Sequence, residues 1–225
     1  MESGEGARFV WRYNYTDDNY AQSLWDAHGD TRNWGVVAHE IYNNTIRNDR
    51  DPVSGAGNGH DMRGGTGLLY NNSMCAGTSG ERAINMIREE YFSPDPESAD
   101  GCWCKINNSY IFNNRNYRDG NTLALWETDD YNCIAENTDW WDDAIHDAGG
   151  ESPSNFTYDT YANRPASPIV NDCYWATDSM KLYRCETSNV WTFIYKPYTY
   201  PHPLASGGGG GETPSNVCDI KIGRK

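Results

Sequence analysis

Asp26 and His28 stand two residues apart, and further along the chain His60 and Asp61 come just before Arg63. On a strand, residues i and i+2 share a face; on a loop, the pair can converge with Arg63 or with His60-Asp61 from a neighbouring segment. A carboxylate or imidazole beside a guanidinium is what β-elimination from a uronic acid, or acid/base hydrolysis of a glycosidic bond, requires. Asp26, His28 and Arg63 are therefore the candidate catalytic residues, with His60 and Asp61 as candidate substrate contacts. A structural reading competes. In Asp26-Ala27-His28-Gly29 and Arg63-Gly64-Gly65, glycine can supply a corner's positive φ while His or Arg bonds loop carbonyls.

Trp140-Trp141 beside Asp142-Asp143 is a candidate sugar-contact patch, against which stands plain packing of the two rings. Asp129-Asp130 and Asp142-Asp143 make calcium a possible ligand, although neither pair has the spacing of a dedicated calcium loop; no cofactor is required. Seven cysteines are an odd number. Cys173 and Cys185 bracket two strand-like runs about a turn near Ser179, and folding that hairpin symmetrically predicts a Cys173–Cys185 disulfide. Cys75, Cys102, Cys104, Cys133 and Cys218 cannot be paired from sequence, and no Cys-x-x-Cys with a His partner suggests zinc. The expected setting is oxidising and extracellular.

The elements that must position these residues are announced by a repeat. Trp11-Arg12-Tyr13-Asn14 returns as Ile41-Tyr42-Asn43-Asn44, Leu69-Tyr70-Asn71-Asn72, Ile111-Phe112-Asn113-Asn114 and, degenerate, Ile134-Ala135-Glu136-Asn137, with the last Asn 30, 28, 42 and 23 residues after its predecessor. A strand-like phrase recurring at this interval is the signature of a solenoid, in which each unit buries its apolar side against its neighbours. β-Branched and aromatic residues favour a short strand, and Asn tolerates the left-handed turn after it. If the corners stack, each Asn can bond its equivalent one coil away. The fold predicted is all-β, a parallel β-helix of about five to seven coils with a β-hairpin inserted near 173–185. Residues 1–8 read as a flexible end, 9–206 as the helix domain, 207–216 as a Gly-rich linker, and 217–225 as a further strand or the start of another domain. Glu81 to Phe92 reads as a strand or a single helical turn, with the context favouring strand, and the run from Ser93 to Asp100 as a surface loop. The first coil has no cap before it, so further coils or another molecule are expected to cover that end.

At 225 residues one all-β domain suffices, and a formal charge of −14 argues against nucleic acid or an anionic membrane as partner. No run approaches 18 apolar residues, so no membrane insertion is expected. Tyr (16) and Trp (9) outnumber Phe (5), and such rings suit stacking on sugars as well as packing between coils. Of the sequons at Asn14, Asn43, Asn71, Asn107 and Asn155, three belong to the repeat itself, which leaves Asn155 as the best acceptor.

Arg12-Tyr13-Asn14, Asp26-Ala27-His28-Gly29, Glu40-Ile41-Tyr42-Asn43-Asn44-Thr45, Arg63-Gly64-Gly65-Thr66-Gly67, Tyr174-Trp175-Ala176-Thr177-Asp178 and Tyr198-Thr199-Tyr200-Pro201-His202-Pro203-Leu204 together resemble the C-terminal part of right-handed parallel β-helix proteins of the pectate-lyase-like superfamily, in an uncharacterised bacterial and metagenomic group. The resemblance spans about residues 9–204. It implies a secreted or surface protein but transfers no catalytic residues, because lyases, hydrolases, tailspikes and adhesins share the fold. The expected function is an extracellular β-helix domain that binds polysaccharide and can cleave it as a lyase or glycoside hydrolase. The alternative is a subunit of an extracellular fibre, assembling with itself by solenoid stacking or by exchange of the C-terminal strand.

Overall fold

The structure is a computed structural model that describes residues 2–3, 7–16, 23–27, 36–46, 58–74, 84–87, 106–117, 119–128, 134–146 and 155–198. Three parallel sheets are visited in turn. The first holds Glu2–Ser3, Ser23–Ala27, Asn58–Met62, Ile84–Ile87, Ala124–Thr128 and Ile145–His146. The second holds Arg8–Arg12, Ala38–Tyr42, Thr66–Tyr70, Ser109–Phe112 and Trp140–Asp142, and the third Tyr15–Thr16, Thr45–Ile46, Ser73–Met74 and Arg115–Asn116. Chain order is kept within each sheet, so each passage through the three is laid on the one before. Ser23–Ala27 and Asn58–Met62 pair with each other, and Glu2–Ser3, within the stretch read from sequence as a flexible end, is strand and pairs with Asp26–Ala27.

The recurring phrase makes the corner between the second and third sheets. Its penultimate residue is left-handed in four coils, with φ of 56° at Tyr13, 56° at Asn43, 53° at Asn71 and 53° at Asn113. That region costs most L-residues roughly 1–2 kcal/mol and is visited most readily by Asn among those with a side chain. The following Asn side chains form a ladder through the stack. Asn14 Nδ2 donates to Asn44 Oδ1 (3.0 Å), Asn44 Nδ2 to Asn72 Oδ1 (2.9 Å) and Asn72 Nδ2 to Asn114 Oδ1 (2.9 Å). Each of these oxygens also accepts the backbone N–H of the donating Asn. A second, exposed ladder joins Asn43, Asn71 and Asn113.

Alternation along the second sheet builds two cores. Ile41, Leu69, Ile111 and Trp140 point into the coil with Trp25, Met62 and Ile84. Tyr42, Tyr70 and Phe112 point outward as a column of stacked rings, 4.8 and 5.1 Å apart. A fourth sheet covers that column. In it Phe156–Asp159 runs parallel to Cys173–Ala176, followed by antiparallel Lys181–Thr187 and Val190–Tyr195. Phe156 and Trp175 close on Phe112, at 4.4 and 5.3 Å between centroids. Polar bolts fix the join: Glu40 accepts from the Tyr195 hydroxyl and from the Tyr198 amide (3.0 Å), and Arg184 lies 4.0 Å over the Trp141 ring while donating to the Tyr110 hydroxyl (3.0 Å).

Two expectations are corrected. Cys173 and Cys185 are free, buried thiols with no disulfide between them. The hairpin pairs Cys173 with Arg184 and Ala176 with Lys181, so its axis falls between Asp178 and Ser179. That half-residue displacement puts Cys185 on the opposite face of the sheet from Cys173. The fifth coil is also not Ile134-Ala135-Glu136-Asn137: Trp140–Asp142 stacks on Ser109–Ile111, and Asn137 lies outside the ladder.

Asn72 carries the central rung, its Oδ1 accepting two N–H groups and its Nδ2 also donating to the Ile41 carbonyl (3.0 Å). Asn72→Ala leaves buried donors on Asn44 without a partner and is expected to lower unfolding free energy by about 3 kcal/mol in urea titrations. The same change at exposed Asn71 should cost clearly less.

Candidate functional site

Pairing of the first sheet's second and third strands sets Asp26 beside Asp61 and Trp25 beside His60. Trp25, Ala27, His60 and Met62 fill the coil, so both carboxylates face outward. Arg63 follows directly, its amide bonded to the Ala27 carbonyl (2.9 Å). Its Nε lies 3.1 Å from Asp26 Oδ1 and its Nη2 3.8 Å from Asp61 Oδ2. Of the residues singled out from sequence, the fold therefore gathers Asp26, Asp61 and Arg63. His28 lies outside the described residues. One guanidinium compensates two like charges a rung apart, which is what adjacent strands carrying Asp require of a neighbour. Asp26 is the more open of the two acids, with a side chain 16% exposed against 3% for Asp61.

His60 points inward, away from that cluster. Its Nδ1 lies 3.3 Å from the Trp25 carbonyl, and its ring meets His39 at 5.3 Å. His39 stacks on Phe9 and occupies the space above Gly67, where a Cβ would come within 2.5 Å of His39 Nε2. Among the described residues, both His39 nitrogens and His60 Nε2 lack a hydrogen-bond partner. Burial lowers the His60 pKa to about 4, opposed by the Asp61 charge and the Trp25 carbonyl. Burial, then the neighbouring His60, pushes His39 well below its ordinary value. Both rings are neutral and sealed from solvent, so neither exchanges protons with a surface ligand. Trp140 and Trp141 are buried as well, 0% and 3% exposed, and Trp141 is held between Tyr110 and Arg184. Neither ring presents a face to a sugar.

Among the described residues, no three His, Cys, Asp or Glu side chains converge as metal ligands. Asp142 Oδ1 accepts the Ala144 amide and both Asp143 oxygens accept the Asn113 amide, so these acids serve the backbone; Asp129-Asp130 lie outside the described residues.

A groove that the sequence reading passed over lies on the outer face of the fourth sheet. Tyr161–Asn163 forms a single 3-10 turn. Asp159 accepts from the Thr160 amide (2.6 Å) and Asn163 Nδ2 (3.0 Å), while Asp178 accepts from the Tyr161 amide (3.0 Å). The turn sets Tyr161 and Arg164 against Tyr183 and Trp191. The Arg164 guanidinium carbon lies 4.4, 4.7 and 5.9 Å from the Tyr161, Tyr183 and Trp191 ring centres. Arg164 Nη2 donates to the Tyr161 hydroxyl (3.2 Å), and Trp191 Nε1 to the Pro165 carbonyl (2.8 Å). An open groove of about 490 Å³ runs between Tyr161, Arg164 and Pro165 on one side and Asn189, Val190 and Trp191 on the other. Tyr161 is 46% and Val190 51% exposed, and Phe193 continues the apolar surface at 53%. Among the described residues, no carboxylate lies within ion-pair distance of Arg164. The available signal was Trp191 and Phe193 alternating on one strand, together with Tyr161 and Arg164 in a Pro- and Asn-rich stretch.

Comparison with known proteins returns no match, whether to a family model, a curated protein or a solved structure.

The buried histidines give the fold a pH dependence of definite sign. The folded-state pKa of His60 lies below its unfolded value, so the unfolded chain binds more protons between about pH 6.5 and 4. Stability present at pH 7 is lost as pH falls through that window, by roughly 3 kcal/mol from His60 alone. Denaturant titrations at pH 7, 5.5 and 4 should show the decline, and His60→Phe should flatten it. An unchanged slope in that variant would assign the effect elsewhere.

Proposed function

We propose that this chain is a right-handed parallel β-helix domain, akin to those of the pectate-lyase-like superfamily, that binds polysaccharide in an extracellular setting. Support for the fold comes from three in-register parallel sheets visited in turn, joined by Asn-laddered corners. Support for the ligand comes from the groove bearing Tyr161, Arg164 and Trp191. It offers the half-exposed Tyr161 ring and the partly exposed Trp191 ring to the apolar side of a sugar, a guanidinium edge with donors beyond the one given to the Tyr161 hydroxyl, and the width of an open cleft. The free thiols of Cys173 and Cys185 remove the disulfide that favoured an oxidising compartment, so the extracellular assignment rests on the ligand class. Binding is carried further than cleavage, because the Asp26–Arg63–Asp61 cluster is internally compensated. Cleavage stays with that cluster as the place to look.

Retention on immobilised acidic and neutral glycans provides the test. Tyr161→Ala and Trp191→Ala should each weaken retention about tenfold, the equivalent of roughly 1.4 kcal/mol of stacking. Tyr161→Ala should leave the thermal midpoint almost unchanged, since that ring is half exposed. A parent chain retained on no glycan, or variants retained as well as the parent, would refute the proposal. Unsaturated products or new reducing ends during the same incubations would add cleavage, and Asp26→Asn should then abolish them.

A further inference from the structure

We infer that His39, His60 and Met62, inside the second coil, form a binding site for one soft monovalent cation of the copper(I) class. The two histidines face each other across the interior, from Ala38–Tyr42 in the second sheet and Asn58–Met62 in the first. Their ring centres are 5.3 Å apart with the planes at 68°, and both side chains are buried. Met62, two residues after His60 and on the same face of its strand, is buried in the same interior. A side-chain carbon on Gly67 would stand 2.5 Å from His39 Nε2 and 2.6 Å from Met62 Cε, so the imidazole edge and the thioether end meet over that glycine.

The donor chemistry selects the ion. His60 Nδ1 lies 3.3 Å from the Trp25 carbonyl, and a carbonyl only accepts, so the ring proton sits on Nδ1 and the lone pair on Nε2. An imidazole anchored through its other nitrogen in this way is the usual form of a metal-ligating histidine. Among the described residues, His60 Nε2 and both nitrogens of His39 meet no hydrogen-bond partner, which is costly in an interior otherwise built from Phe9, Trp25 and Ile84. Burial keeps both rings neutral, the state that binds a metal. Two neutral imidazoles and a thioether suit a soft ion and offer calcium or magnesium no oxygen. The set contains no anion, so the second charge of a divalent ion would be left uncompensated in that interior. Asp61 raises the His60 pKa against burial, so its field reaches the ring and favours a positive charge there.

A cleft of about 280 Å³ between the second and fourth sheets supplies a route towards the site. Ala38, Thr66, Leu68, Tyr110 and Ile194 line it, and His39 and Gly67 belong to its wall. Gly67 places no side chain between that wall and the His39 ring. Met62 is unbranched with three rotatable bonds, so its sulfur can turn onto an ion held by the two nitrogens without rebuilding the core. A trapped water is the rival occupant. It would bridge the two rings but would gain little from the thioether, and that difference separates the two.

Nitrogen NMR of the full chain with silver(I), a diamagnetic substitute for copper(I), tests the site independently of any glycan. The readout is the imidazole nitrogens themselves, so silver bound at cysteine thiols does not register. Silver(I) should shift His60 Nε2 and one ring nitrogen of His39 together, whereas calcium and zinc should move neither. Met62→Leu conserves volume, so the metal-free chain should unfold at the parent's temperature while silver(I) binds at least about tenfold more weakly. His39→Phe should remove the silver-induced shift at His60. Ring nitrogens of the parent unmoved by saturating silver(I), or a shift confined to one ring, would overturn the site and leave a water-bridged pair. Equal silver(I) affinity in the parent and Met62→Leu would overturn it as well, and so would zinc moving both rings.

Discussion

The structure depends on equivalent residues lying one above another, because a coil of this kind cannot satisfy its own corner. A left-handed corner residue points the next amide into the stack, where water is excluded. An Asn there has two donors and a two-lone-pair acceptor to place, and the only groups at the right height belong to adjacent coils. Asn44 shows the solution: its Nδ2 reaches the Trp11 carbonyl on one side and Asn72 on the other. A slip of one residue in any coil would break rungs on both sides of it and turn the inward apolar face out, so register is specified by polar and apolar residues at once.

The same register produces the outer aromatic column. Tyr42, Tyr70 and Phe112 stack because they hold equivalent places, and their rings lie within 15° of parallel. An exposed column of this sort would be a large apolar patch, and the fourth sheet exists to cover it. The hydroxyls left over are handled individually. Tyr42 accepts from Arg12 at 2.6 Å and Tyr110 from Arg184 at 3.0 Å, so basic residues at the seam serve phenols as well as acids. Glu40 holds the chain's exit from the fourth sheet at Tyr195 and Tyr198, tying residues more than 150 apart in sequence to the second coil.

The corners were legible in the sequence because one chemical requirement, a left-handed residue followed by a laddered amide, selects Asn twice in succession. Legibility failed where another residue met the requirement differently. In the fifth coil Asp143 receives the Asn113 amide and Trp140-Trp141 supplies the bulk, so a search for Tyr-Asn-Asn settled on Asn137 instead. The hairpin failed by half a residue, a displacement set by the turn after Ala176 that cysteine spacing does not record. The Asp26, Asp61 and Arg63 grouping could be foreseen since it follows from the coil period alone. The Tyr161, Arg164 and Trp191 groove could not, because it joins a short turn to a strand about thirty residues later across a sheet whose order is not periodic.

The two candidate surfaces differ in what they leave uncommitted, and that difference orders them. At Arg63 the cation stands between two carboxylates of the coil, so a ligand must displace an existing ion pair before it gains a contact. At Arg164 the two nearby acids, Asp159 and Asp178, are occupied by the backbone amides of the turn that presents the arginine. The guanidinium is held over ring faces and gives one in-plane donor to the Tyr161 hydroxyl, which leaves its other donors for a ligand. In a chain of formal charge −14, a cation set on a half-buried aromatic cluster, with no carboxylate within ion-pair distance among the described residues, is the unusual feature. It stands on the sheet that the coil carries rather than on the coil itself, so the coil's periodic core acts as the rigid support on which an aperiodic recognition surface is built.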